Sequence, residues 1–164
     1  MPLLDEHRRL CIMVDYLFGR GVSGVLPKKG IRLVYSRRSG RVKLVYVGER
    51  LFATVKPNGS MALSISGATL LARSRRFLQN CVVVNKDAEE FVKGGKSVFC
   101  KFVTSAGKYI RPRSEVVVLD DSGRILGVGT AVVAGRFMTQ FKSGVAVKVR
   151  TGSTHRVSAA EVRR

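Results

Sequence analysis

The chain has 164 residues, 45% of them hydrophobic, with 30 Lys and Arg against 11 Asp and Glu, a formal charge of +19. That apolar share suffices for a packed core and excludes wholesale disorder, and no apolar run approaches the roughly 20 residues that cross a bilayer. Residues 1–78 carry 15 basic and 4 acidic side chains and residues 79–164 carry 15 and 7, so both halves are basic, and a polyphosphate partner would offset the self-repulsion.

In chain order, Leu10, Met13, Val14 and Leu17 recur at helical spacing, which predicts an amphipathic helix over about 5–18. Asp5 and Glu6 suit its positive end, and Gly19 can stop it in the left-handed conformation. Gly19 to Gly24 reads as a glycine-rich loop; no strand precedes it, which argues against a nucleotide-binding loop. Three strands are expected next: Ile31 to Tyr35, Arg41 to Val47 and Arg50 to Val55. In the second, Val42, Leu44 and Tyr46 alternate with Arg41 and Lys43, as in a half-buried strand. Pro57-Asn58-Gly59 should break the sheet, a short helix or turn follows within 65–71, and a boundary is expected near Phe77–Asn80.

Beyond it, Val82-Val83-Val84 is a short apolar run, and Ala88, Phe91 and Val92 make one face of a short helix that Gly94-Gly95 stops. Cys100 and Phe102 would share one face of the next strand. Strands from Val116 to Leu119, from Ile125 to Val133 and from Val145 to Arg150 follow, with a second short helical face at Phe137, Met138 and Phe141. Many short strands with two single-face helices suggest a closed or partly closed barrel. The last residues, 152–164, are expected to form a frayed basic tail.

Residues 82–150 resemble a PUA domain, the RNA-binding module named for pseudouridine synthases and archaeosine transglycosylases. The resemblance is carried by Phe91 to Phe99, Ile110-Arg111-Pro112, Leu126-Gly127-Val128-Gly129 and Phe141 to Arg150. Residues 16–71 are similar to the module preceding this domain in archaeal tRNA-guanine transglycosylases and archaeosine synthases, through Tyr16 to Gly21, Val34-Tyr35-Ser36, Ser39-Gly40-Arg41 and Ser66-Gly67-Ala68. The expected fold is thus mainly β with short helices: an α+β module over 1–78, then a PUA-type pseudo-barrel over 79–151. The resemblance implies that the chain binds the acceptor stem and 3′ end of tRNA. Carried over, Lys93, Gly94, Gly95, Lys96, Ser97 and Lys101 would form one wall of the site, and Arg111, Arg113, Lys148 and Arg150 the other. The glycines would let phosphates approach backbone amides while the cations neutralise them. Arg113-Ser114 stands where relatives usually have a glycine and an acid, which leaves the shape of that loop open. Phe99 and Phe102 are either core or base-stacking residues, and the basic hairpin Arg37-Arg38-Ser39-Gly40-Arg41 is either a phosphate contact or a solvated turn.

Chemistry of the chain's own is not expected. His7 and His155 lack spaced partners, Asp120-Asp121 sits in a turn signal, and no nucleophile or metal cluster is visible. Cys11, Cys81 and Cys100 are odd in number and widely separated, as expected of free thiols in a reducing cytoplasm, and no secretory signal is read at the start. No cofactor, metal or membrane is expected. Two readings compete: a non-catalytic tRNA-binding subunit or adaptor of a transglycosylase whose catalytic subunit is encoded separately, and a stand-alone ribosome- or translation-associated factor. The second has its own resemblance, to eukaryotic translation factors of the density-regulated, malignant-T-cell-amplified type.

Overall fold

A computed structural model describes residues 5–154. Helix α1, Glu6–Phe18, is capped by the Asp5 carboxylate, which accepts the Arg8 amide at 2.6 Å, and it buries Leu10, Val14 and Phe18 along one stripe. Gly19 ends it at φ 119° and ψ 144°, not in the left-handed helical cap its position suggests. The loop that follows winds into a short 3-10 turn, Val22–Val25.

An antiparallel sheet then runs β1 (Ile31–Tyr35), β2 (Val42–Val47), β3 (Arg50–Val55) and β4 (Met61–Leu63), in that spatial order. Strand β4 was not expected. Pro57-Asn58-Gly59 turns the chain instead of ending the sheet, with the Lys56 amide donating to Ser60 O and the Gly59 amide to Lys56 O. The simple alternation expected in β2 also fails. The register with β1 slips between Val34 and Tyr35, so Tyr35 faces Val42 and Val34 faces Leu44. Such a bulge switches the inward parity: Val42, Val45 and Val47 pack on the core, and Val45 is fully buried. Helix α2, Ile65–Leu71, is capped by Ser64, whose hydroxyl accepts the Gly67 amide at 2.9 Å.

After a 3-10 segment, Arg75–Asn80, come β5 (Cys81–Val84), α3 (Lys86–Lys93), β6 (Val98–Phe99), β7 (Val103–Ala106), β8 (Glu115–Leu119), β9 (Ile125–Ala131), α4 (Gly135–Met138) and β10 (Val145–Gly152). Six strands form one sheet in the order β6-β10-β9-β8-β5-β7. Its two edge strands are joined only by the 3-10 turn Cys100–Phe102, so the sheet curls until its edges approach, as a pseudo-barrel does. The single strand expected around Cys100 and Phe102 is thus two strands with a turn between them. Residues 152–154, placed in the tail by sequence, belong to the fold: Gly152 ends β10, the Ser153 amide donates to Leu126 O at 2.8 Å and the Thr154 hydroxyl to Lys93 O at 2.6 Å. The rest of that tail lies outside the described residues.

The curled sheet is buried on both faces. Val82, Val84, Val116, Val118 and Leu126 point into its own interior with Val92, Val98 and Met138. Cys81, Val117, Leu119 and Val128 point the other way, into a core shared with Leu10, Val14, Phe52, Leu71 and Phe77 of the first half. The joint between halves also contains buried Asn80, whose amide donates to Phe18 O at 2.7 Å, and an edge-to-face contact of Phe18 with Phe77.

Because Leu119 serves the shared core, Leu119→Ala should lower stability by about 2–5 kcal/mol. Both halves should still melt in one transition. Differential scanning calorimetry checks this; two resolved transitions would refute a common core.

Candidate nucleic-acid interface

Helix α3 presents Ala88 and Val92 to the sheet, while Phe91, expected on that same face, is 52% exposed. It faces a groove of about 370 Å³ together with Phe99, Phe102, Lys96, Ser97 and Lys101. Phe99 is 46% exposed, so it is not core; Phe102 packs partly on the barrel interior. The Lys96 ammonium lies 5.4 Å from the Phe91 ring centre and Lys101 4.8 Å from that of Phe102. Three aromatic faces beside two cations that form no ion pair among the described residues suit unstacked bases with their phosphates.

Three amides of the expected cradle are already engaged. The Gly94 amide donates to Glu90 O, the Gly95 amide to Val92 O and the Lys96 amide to Phe91 O. These bonds close the C-terminus of α3, the negative end of its dipole. At these three positions the loop offers an anion side-chain charge rather than N–H groups. Lys93 is partly withdrawn as well, its ammonium 3.0 Å from Glu90.

The second expected wall divides. Lys148 is exposed on β10 and sits opposite Thr130 of β9. Arg111 and Arg113 are exposed on the loop before β8, where the Arg113 amide donates to Ala131 O, one residue from Lys148's partner. Arg113 stands at φ 71°, a backbone conformation that favours glycine. Arg150 is engaged within the molecule. Its guanidinium forks onto Glu115, at 2.5 and 3.2 Å, and also donates to Leu63 O at 2.7 Å, while the Leu63 amide donates to Glu115 at 3.1 Å. Burial pushes the Glu115 carboxyl up and the Arg150 hydrogen bonds pull it back. Arg150 joins β10, β8 and β4, and its exposed guanidinium is paired with a carboxylate. Sequence reading missed that role because the partners lie 35 and 87 positions away.

In the first half, the hairpin Arg38 to Arg41 borders a wide depression with Arg9, Lys43 and Lys56. Asp120 makes a turn: its carboxylate accepts the Ser122 and Arg124 amides and the Arg124 guanidinium. His7 lies 3.6 Å from Cys11, and no group of three or more His, Cys, Asp or Glu forms among the described residues. All three cysteines are free, and burial pushes the Cys81 thiol up to about 12. Among the described residues no helix is long and apolar enough to cross a membrane.

Residues 80–152 match the PUA domain family, and residues 8–77 match the patch-forming domain C2 of tRNA-guanine transglycosylase. The chain is a C2 patch-forming domain joined to a PUA domain. Similar proteins include the tRNA-guanine(15) transglycosylase of Methanobrevibacter smithii, 33% identical over 90% of this chain and 23% of its own length. That of Methanocaldococcus jannaschii is 36% identical over 88% of this chain and 22% of its own. The chain thus spans about a quarter of these relatives. A hypothetical protein from Pyrococcus horikoshii shares the fold with a TM-score of 0.72 at 20% identity, covering 97% of this chain and 95% of its own. A conserved PUA domain protein from Thermoplasma acidophilum does so with a TM-score of 0.66 at 18% identity, covering 94% and 93%.

The groove of Phe91, Phe99, Lys96 and Lys101 therefore lies on the PUA domain, and Arg150 ties the PUA domain to C2 through Leu63. Arg150→Met should strand a buried carboxylate and cost about 1.5–3 kcal/mol of stability. The salt dependence of RNA binding should stay unchanged. A slope that falls by about 0.7–0.9 would instead make Arg150 a phosphate contact.

Proposed function

We propose that this chain binds tRNA at its acceptor stem and 3′ end, and supplies the RNA-holding part of a tRNA-modifying transglycosylase reaction without performing the base exchange. The observation that carries this reading is the aromatic and cationic groove of the PUA domain, in a chain whose two matched domains are shared with transglycosylases. Lys96, Lys101 and Lys148, with Arg111 and Arg113, would meet phosphates, and Phe91 and Phe99 would stack unpaired bases. Lys93, Gly94, Gly95 and Ser97 would shape the groove, and Arg150 would hold the domains in register. The division of labour follows the notional boundary at residues 78 and 79, with C2 widening the grip.

Support comes from the charge: both halves are strongly basic, and an RNA backbone is the partner that disperses such a charge over a large face. Catalysis would belong to a transglycosylase catalytic polypeptide acting on the same tRNA. A ribosome-associated role would use the same groove, and the two readings separate on the partner that co-purifies, a transglycosylase or ribosomal subunits.

Lys96→Ala with Lys101→Ala should weaken tRNA binding and reduce the log–log salt slope by about 0.7–0.9 for each phosphate no longer neutralised. Fluorescence anisotropy across a salt series measures both. Unchanged affinity in the double variant would remove this groove from the interface.

A further inference from the structure

A second cationic crevice lies where the two domains meet, away from the PUA groove. One part, about 560 Å³, runs between α1 and the loop before β8 and is bordered by Tyr16, Tyr109, Arg111 and Arg113. The other, about 460 Å³, continues past Arg20, Arg75 and Arg76. Gly19, Lys108 and Tyr109 border both parts, so they form one continuous trough. All six of its Arg and Lys side chains are exposed, and none is in an ion pair among the described residues. The acids nearby are occupied. Glu115 is held by Arg150, and Asp15, which faces Arg76, accepts the Ser23 amide at 2.8 Å.

The trough is held in shape from both domains. The Gly107 amide donates to Cys81 O and the Tyr109 amide to Gln79 O, which pins the loop 107–113 against the 3-10 segment. Arg76 donates to Arg20 O at 3.0 Å and occupies the space beside Gly21. The Tyr109 ring covers Gly19, where an added Cβ would meet it at 3.6 Å, and Tyr109 is still 55% exposed. Tyr16 is 88% exposed.

Arg113 adds an independent observation. It is the one non-glycine residue at positive φ among the described residues, a conformation glycine reaches at no steric cost. An arginine there costs stability, and the strain places a long cation on the rim of the trough.

We propose that this interdomain trough is a second RNA site that takes a single-stranded stretch of unpaired nucleotides. Its phosphates lie along the arginine and lysine rim, and its bases stack on Tyr109 and Tyr16. A duplex meets the cations equally well, but its bases are already stacked and offer the tyrosines nothing. The proposal rests on the tRNA-binding reading and adds to it a requirement for an unpaired segment at the domain junction.

The test uses the whole chain with a fluorescent, unstructured oligoribonucleotide and a blunt duplex of the same length. The single strand should bind more tightly than the duplex. Tyr16→Leu with Tyr109→Leu should weaken single-strand binding roughly five- to a hundredfold and leave duplex binding and the salt slope unaltered. Arg20→Ala with Arg75→Ala, two cations that border the trough alone, should lower single-strand affinity and the salt slope. Three results overturn the proposal: tyrosine variants that bind the single strand normally, an Arg20→Ala with Arg75→Ala variant with unaltered affinity, or poly-glutamate displacing RNA as well as poly-uridine does at equal charge. Should these trough variants bind normally while Lys96→Ala with Lys101→Ala does not, only the second site falls. A wild-type chain that binds no RNA removes both sites.

Discussion

Strand β8 is the constraint on which the rest depends. Its residues Val116 to Leu119 are all buried, because alternate side chains enter two different cores. Val116 and Val118 fill the curled sheet of the PUA domain, and Val117 and Leu119 seal it against C2. A strand apolar on both faces cannot be exposed on either without loss, so the domains are not beads on a linker. At the edge of this seam, Glu115 begins β8 and gathers Arg150 and Leu63. The hydrophobic contact supplies most of the attraction, and the charged contact selects its register, since a buried carboxylate is tolerable only where its hydrogen bonds are met.

That rigidity explains how short, irregular segments can hold exposed side chains at fixed positions. The loop 107–113 contains glycine, proline and exposed cations, yet it is bonded to the 3-10 segment on one side and to β9 on the other. Its side chains are therefore presented at fixed spacing. A preorganised cationic surface loses less entropy on binding an extended polyanion than a flexible one does. The PUA groove follows the same logic: helix α3 is closed by its own carbonyl bonds, and what remains outward is aromatic surface beside ammonium groups.

Much of this architecture is legible in the sequence. Helical spacing marks α1, and apolar runs locate β5, β8 and β10. Other features escape local pattern. Met61–Leu63 is only three residues long, and β7 reads Val-Thr-Ser-Ala, so neither carries a strand signature of its own; each is a strand because a neighbour supplies its hydrogen bonds. The bulge opposite Val34 and Tyr35 reversed the apparent inward face of β2, and nothing local to Val42 through Tyr46 announces it.

The candidate site divides along the same line. Residue types and their order determined that this chain would be basic in both halves, would fold as a mainly β PUA-type barrel after an α+β module, and would offer cations near α3 and β10. Which cations are available was decided only by the tertiary structure. Arg150 looks in sequence like its neighbour Lys148, and both are exposed, but Arg150 meets a carboxylate 35 residues away, while Lys148 is in no ion pair among the described residues. Phe91 looks like core, but it is half exposed and lines the groove beside Phe99. Charge and hydrophobicity are properties of a residue; neutralisation and burial are properties of what folding brings beside it.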